Sequence, residues 1–235
     1  MRKRIWELDV LRGVCILGMV MVHLVFDLVY PYGAFTLAGM GQELFMLLPQ
    51  WGGVLFLLIS GICVTLGRRP VKRGLTVLGC GLLCTLVTWA LYALGFMDKG
   101  VVIYFGVLHC LGICMLLWPL MKKLHLWALI GLGISLVAVG LYIPGLQVDH
   151  PWLIPLGFMY PGFSSSDYFP LLPNLGFFLL GAVLGLTLYR KKQTLLPKVN
   201  EKNLVIRFFS LCGRLSLPIY LLHQPLITVA LELIF

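Results

Sequence analysis

Residues 8–27 read LDVLRGVCILGMVMVHLVFD: an apolar run that carries two carboxylates, a guanidinium and an imidazole. A run of this length and hydropathy predicts a membrane-spanning helix of ~20 residues. At about 100° per helical residue, Asp9, Arg12, His23 and Asp27 fall within about a 60° arc of that helix. Ionisable groups at membrane depth are costly and mark function. Asp9 and Arg12 lie one turn apart at the expected cytoplasmic edge, where they pair with each other or meet an anion. His23 lies about 16 Å further along the axis, roughly half of a ~30 Å hydrocarbon core. Asp27, one turn beyond, is placed to accept the His23 N–H, fix its tautomer and stabilise the imidazolium. A general base needs this arrangement, and a buried pair tying two helices together would look the same in sequence.

The rest of the 235-residue chain extends this reading. It is 60% hydrophobic and 11% charged, the composition of an integral membrane protein. Apolar stretches at about 10–30, 45–67, 74–96, 101–121, 125–145, 172–189 and 208–235 predict an all-α bundle of about seven transmembrane helices in a single domain, 1–235. The stretch 172–189 is short, and Gly213 and Pro218 predict a bend or an interfacial start in the last one. The opening segment Met1 to Tyr30 has too long an apolar run and no small-residue cleavage site for a signal peptide, so a retained first span is expected.

The net charge of +9 is concentrated at Arg2-Lys3-Arg4, Arg68-Arg69-Pro70-Val71-Lys72-Arg73, Lys122-Lys123 and Arg190 to Arg214. Seven alternating spans put 17 of the 18 Lys and Arg on one side and only Lys99 on the other. This positive-inside pattern predicts a cytoplasmic N-terminus, an outer C-terminus and residence in the cell membrane, and argues against nucleic acid as the partner. The polar, basic stretch 190–207 is expected to be a mobile inner loop. The outer loop from about Pro144 to Pro173 carries acids and hydroxyls but no Lys or Arg. The seven cysteines lie in or beside spans with no metal-ligand spacing, so neither disulfides nor a bound metal is expected.

Three further constellations bear on chemistry. Ser216, Tyr220, His223 and Gln224 fall within about a 100° arc of the last span, where Pro225 leaves a backbone carbonyl without its helical donor. His223 there serves as a second proton carrier, a substrate-orienting group or part of an interhelical network. His109, in Gly106-Val107-Leu108-His109-Cys110, is a third intramembrane imidazole. Asp167-Tyr168-Phe169-Pro170-Leu171-Leu172-Pro173-Asn174 forms the outer wall of an acceptor pocket or an ordinary capped loop.

At these residues the chain resembles a known family. Leu8-Asp9-Val10-Leu11-Arg12-Gly13, with His23 and Asp27, is similar to the opening of the transmembrane acyltransferase superfamily. The segments Tyr104-Phe105-Gly106-Val107-Leu108-His109, Asp167 to Pro173 and Tyr220-Leu221-Leu222-His223-Gln224-Pro225 resemble short bacterial members of the heparan-alpha-glucosaminide N-acetyltransferase catalytic-domain family. The resemblance covers nearly the whole chain. It implies transfer of an acetyl or other acyl group from cytosolic acyl-CoA to an amine or hydroxyl of an extracytoplasmic sugar or glycan. His23, Asp27 and His223 would then be catalytic. Asp9, Arg12, Arg68, Arg69, Arg73 and His109 would hold the acyl-CoA, the basic ones through its phosphates. Asp167, Tyr168, Asn174, Tyr220 and Gln224 would line the acceptor site. A direct transfer and a transient acyl-histidine both fit. Lysosomal members are longer and carry their proposed catalytic histidine in the loop after the corresponding helix, whereas residues 31–50 here contain none. The short chain is expected to pair as a homodimer that completes the bundle. The alternative from another class is a proton-coupled transporter, which also uses intramembrane Asp and His.

Overall fold

The computed structural model describes residues 4–143, 146 and 148–235. Arg2 and Lys3 of the first basic cluster, Met1, and Pro144 at the expected start of the long outer loop lie outside the described residues. The chain is an all-α membrane protein. The described residues form eight α-helices and no β-strand: α1 (Trp6–Val29), α2 (Met40–Leu66), α3 (Pro70–Ala93), α4 (Val107–Met121), α5 (Leu126–Tyr142), α6 (Leu171–Thr187), α7 (Leu204–Arg214) and α8 (Ser216–Ile234). Helices α1, α2, α3 and α8 are long and apolar enough to cross a bilayer, while α4, α5 and α6 are apolar but have 15, 17 and 17 residues. Leu75, Leu82, Leu86 and Trp89 on α3 are exposed, as a helix bordered by lipid requires.

The seven apolar stretches correspond to seven of these helices, with two departures. The stretch 101–121 becomes helical only at Val107, because Lys99–Val101 is a 3₁₀ turn and Phe105 bridges to Tyr168 through the Phe169 N–H, 2.9 Å from the Phe105 carbonyl. The stretch 208–235 divides at Leu215, whose φ of −96° and ψ of 16° are not helical. Its first part is the amphipathic α7, which turns Ser210, Cys212 and Gly213 inward and leaves Leu204, Val205, Phe208 and Leu211 exposed.

The chain forms two compact units, one comprising residues up to Ile59 together with Lys191–Phe235, the other Ser60–Arg190. In the first, α1 packs against α7 and α8. Gly13 and Gly213 meet where α1 crosses α7: a methyl built on Gly13 would overlap the Phe209 carbonyl, and one on Gly213 the Asp9 carbonyl. Only glycine lets two backbones approach this closely. Pairings of increasing residue number (23 with 223 and 27 with 224 between the helices, and 32, just past α1, with 232) show that α1 and α8 run in the same direction. The start of α1 and Phe235 therefore lie at opposite ends of the pair.

The stretch 190–203, within the loop expected to be mobile, is irregular and meets α1 at Glu7: the Thr194 hydroxyl donates to Oε2 and the Leu195 N–H to Oε1, both at 2.8 Å. The second unit is built on two helix pairs, α3 with α4 and α5 with α6, and α4 also touches α6.

Candidate active site

In the first unit α1 and α8 bring together four of the side chains singled out in the sequence. The rings of His23 and His223 meet edge to face, with centroids 4.9 Å apart and planes at 67°. One helical turn along, Gln224 Nε2 donates to Asp27 Oδ2 at 2.7 Å. The carboxylate is thus engaged from the other helix, not by the imidazole four residues before it. Asp27 is 8% exposed, and an amide donor is what keeps a buried carboxylate tolerable. His223 Nδ1 lies 2.6 Å from the Tyr220 carbonyl. A carbonyl only accepts, so Nδ1 carries the proton. His223 Nε2 and Gln224 Oε1 are buried without a hydrogen-bond partner among the described residues. Such orphans cost about 1–3 kcal/mol each, and their presence calls for an explanation. Tyr220 lies beside them, its ring centroid 5.6 Å from that of His223.

The start of the same helix holds Asp9 and Arg12, which form an ion pair, with Arg4 Nη1 4.0 Å from the second Asp9 oxygen. Arg12 Nε is buried without a partner among the described residues, as is Ser210 Oγ on α7. At the other end Tyr32 donates to Glu232 at 3.1 Å and packs on Phe235, closing the α1–α8 seam. Glu7, Tyr32 and Glu232 escaped the sequence reading because each acts through a partner far along the chain.

The second unit gathers a different set. Asp167 Oδ2 accepts from the Val107 N–H at 3.0 Å, a carboxylate at the positive end of α4. It comes so close to Gly106 that a side chain there would collide with it. His109 Nδ1 accepts from the Gly106 N–H at 3.2 Å, which puts the ring proton on Nε2. That nitrogen lies 3.2 Å from Thr85 Oγ1, and Thr85 in turn donates to the Ile103 carbonyl at 2.6 Å. Both nitrogens of this buried ring are therefore committed within its own unit. Ser165 donates to the Val102 and Asp167 carbonyls, Asn174 Nδ2 to the Pro170 carbonyl at 2.8 Å, and Tyr168 to the Ile154 carbonyl at 2.8 Å. Burial pushes the Tyr168 phenol up to about 12, so it remains a donor. Sequence reasoning treated the 104–109 and 167–174 segments separately, and the fold joins them into one network around the start of α4.

Also in this unit, Arg68, Arg69, Pro70, Val71, Lys72, Leu75 and Thr76 line an open groove of about 580 Å³. Arg73 lies beside it, with its guanidinium against Gly67. The groove, at the start of α3, is lined by three cationic residues together with the apolar Pro70, Val71 and Leu75. Among the described residues no three His, Cys, Asp or Glu side chains gather as a metal site would require.

Residues 4–225 match the family model described as heparan-alpha-glucosaminide N-acetyltransferase, catalytic. No curated protein and no solved structure matches the chain.

Proposed function

The chain belongs to the heparan-alpha-glucosaminide N-acetyltransferase catalytic-domain family, a family of membrane acetyltransferases, and from that membership we propose that it carries an acetyl or other acyl group from cytosolic acyl-CoA to an amine or hydroxyl of a sugar or glycan across the cell membrane. The observation that carries this reading is the imidazole pair His23–His223 beside the Asp27–Gln224 hydrogen bond, where the last third of α1 meets the first half of α8, both helices being long enough to span a bilayer. Proton transfer from the attacking nucleophile needs such a group, and a charged partner near it stabilises the imidazolium.

The acyl-CoA is held by charge. Arg68, Arg69 and Lys72 around their groove, with Arg73, suit its phosphates, and the apolar lining residues suit the pantetheine arm. Arg12, oriented by Asp9, has the same anion-binding task within its own unit. Tyr220 and Gln224 border the acceptor nucleophile. Within the second unit, Asp167, Tyr168 and Asn174 serve the acceptor side and His109 the acyl-CoA side by holding the segments around the start of α4. The parallel course of α1 and α8 supports a cytoplasmic N-terminus with the C-terminus on the opposite face, and the excess of Lys and Arg near the start of α1 supports the cytoplasmic side for it. The whole chain acts as one transferase domain, and two copies pairing as a homodimer is part of the same proposal.

Calorimetry of acetyl-CoA with the purified protein in detergent tests the donor half. Arg69→Ala and Arg12→Ala should each weaken binding about tenfold or more, the worth of one charge-assisted contact, while His23→Ala retains it. Absence of binding at millimolar acetyl-CoA would refute the reading.

A further inference from the structure

We propose that His223, and not His23, presents the lone pair that takes the acceptor's proton, and that Gln224 Oε1 completes the acceptor subsite beside it. The inference rests on the acyltransferase reading and assigns its chemical step to named atoms. His223 Nδ1 is bound to donate to the Tyr220 carbonyl at 2.6 Å, so in the neutral ring Nε2 holds the lone pair. The Gln224 amide is fixed in the same way: its NH₂ faces the Asp27 carboxylate at 2.7 Å, which leaves Oε1 as an acceptor. Both atoms are buried and without a donor among the described residues. Both side chains face α1, where one touches His23 and the other Asp27.

Two acceptors and no donor complement a group that brings its own hydrogens, an amine or hydroxyl of the sugar. His23 meets the His223 ring edge-on and holds its plane, which makes it a positioning residue. In the step, the nucleophile's lone pair forms a bond to the thioester carbonyl carbon while its proton passes to His223 Nε2. The C–S bond then breaks, the sulfur leaves with the electron pair, and the imidazolium returns the proton to give free CoA thiol. Asp27, anchored by Gln224, offsets the transient positive charge.

The test has two arms on the full chain. Long-range ¹H–¹⁵N spectra of ¹⁵N-histidine-labelled protein in micelles, assigned with H223Q and H109Q, report ring tautomers without any substrate. His223 should be the Nδ1–H form and His109 the Nε2–H form. The second arm follows label from [¹⁴C]acetyl-CoA to D-glucosamine as the probe acceptor. H223Q should lose about 10²-fold or more in kcat with little change in KM for acetyl-CoA, the range of a lost general base, and H23Q about tenfold or less. An Nε2–H tautomer at His223 overturns the assignment, as does a larger loss for H23Q than for H223Q. The Nδ1–H tautomer in a protein that binds acetyl-CoA but leaves glucosamine unlabelled overturns the acyltransferase reading and the base role with it, while the ring geometry stands.

Discussion

Gln224 Nε2 donates to Asp27 Oδ2 at 2.7 Å, joining α8 to α1 across 197 residues of sequence. This bond settles where the Asp27 carboxylate spends its hydrogen-bonding capacity. It also orders the two histidines, because it holds the helices in the register at which the His23 and His223 rings touch.

The first prediction concerns this register. Asp27→Asn and Gln224→Met should each lower the unfolding midpoint in detergent. Their effects should be less than additive in the double variant, with a coupling of about 1–2 kcal/mol. That is the upper end for interhelical bonds in membrane proteins, as suits a bond to a carboxylate. Strict additivity would show that the contact contributes nothing.

A second prediction tests the α1–α7 crossing. Gly213→Ala should destabilise by about 1–3 kcal/mol or abolish expression, because its methyl meets the Asp9 carbonyl and backbone cannot yield as a flexible side chain does. Gly18→Ala on the same α1 has nothing within 4 Å and should be neutral or stabilising by up to about 1 kcal/mol through helix propensity. Thermal unfolding of the two variants side by side distinguishes crowding at the crossing from a general sensitivity of α1.

The Glu7 tie gives a third. Glu7→Ala removes the acceptor for Thr194 and Leu195, so trypsin should cut at Lys191, Lys192 or Lys198 several-fold faster than in the wild-type chain. An unchanged cleavage rate would mean that other contacts hold the segment.

The sequence made the helices legible and left their partnerships hidden. Hydropathy alone located the seven apolar helices among the described residues, of which α1, α2, α3 and α8 are long enough to cross a bilayer. Gly213 and Pro218 pointed to a bend in the last stretch, and the helix breaks between them at Leu215. Local spacing paired His23 with Asp27 at i, i+4, but the carboxylate turned to Gln224, because a buried carboxylate takes the best donor offered in three dimensions. The same blindness hid Asp167 as the cap of α4 and Glu7 as the anchor of 194–195, both contacts spanning 60 residues or more. The basic, polar composition of 190–207 gave no sign that buried Glu7 would accept from Thr194 and Leu195 within it.

Tyr168 carries the pH prediction. Its phenol is raised to about 12 by burial, above the ordinary tyrosine value, so the folded state favours the protonated form. The stabilisation it gives is complete below about pH 10 and is lost as pH rises toward 12. Stability between pH 9 and 12 should therefore fall less steeply in Tyr168→Phe, which lacks the titrating group. At neutral pH Tyr168→Phe should cost about 1 kcal/mol for the lost bond to the Ile154 carbonyl. Identical alkaline profiles for the two proteins would refute the assignment.

Transfer of label through sealed, everted membrane vesicles is the decisive experiment. [¹⁴C]Acetyl-CoA is supplied outside, facing the cytoplasmic side, and D-glucosamine is trapped within. Labelled N-acetylglucosamine should accumulate inside vesicles that carry the wild-type chain and fall about 10²-fold or more in vesicles that carry H223Q. Vesicles whose protein binds acetyl-CoA yet never label the trapped sugar would refute the account.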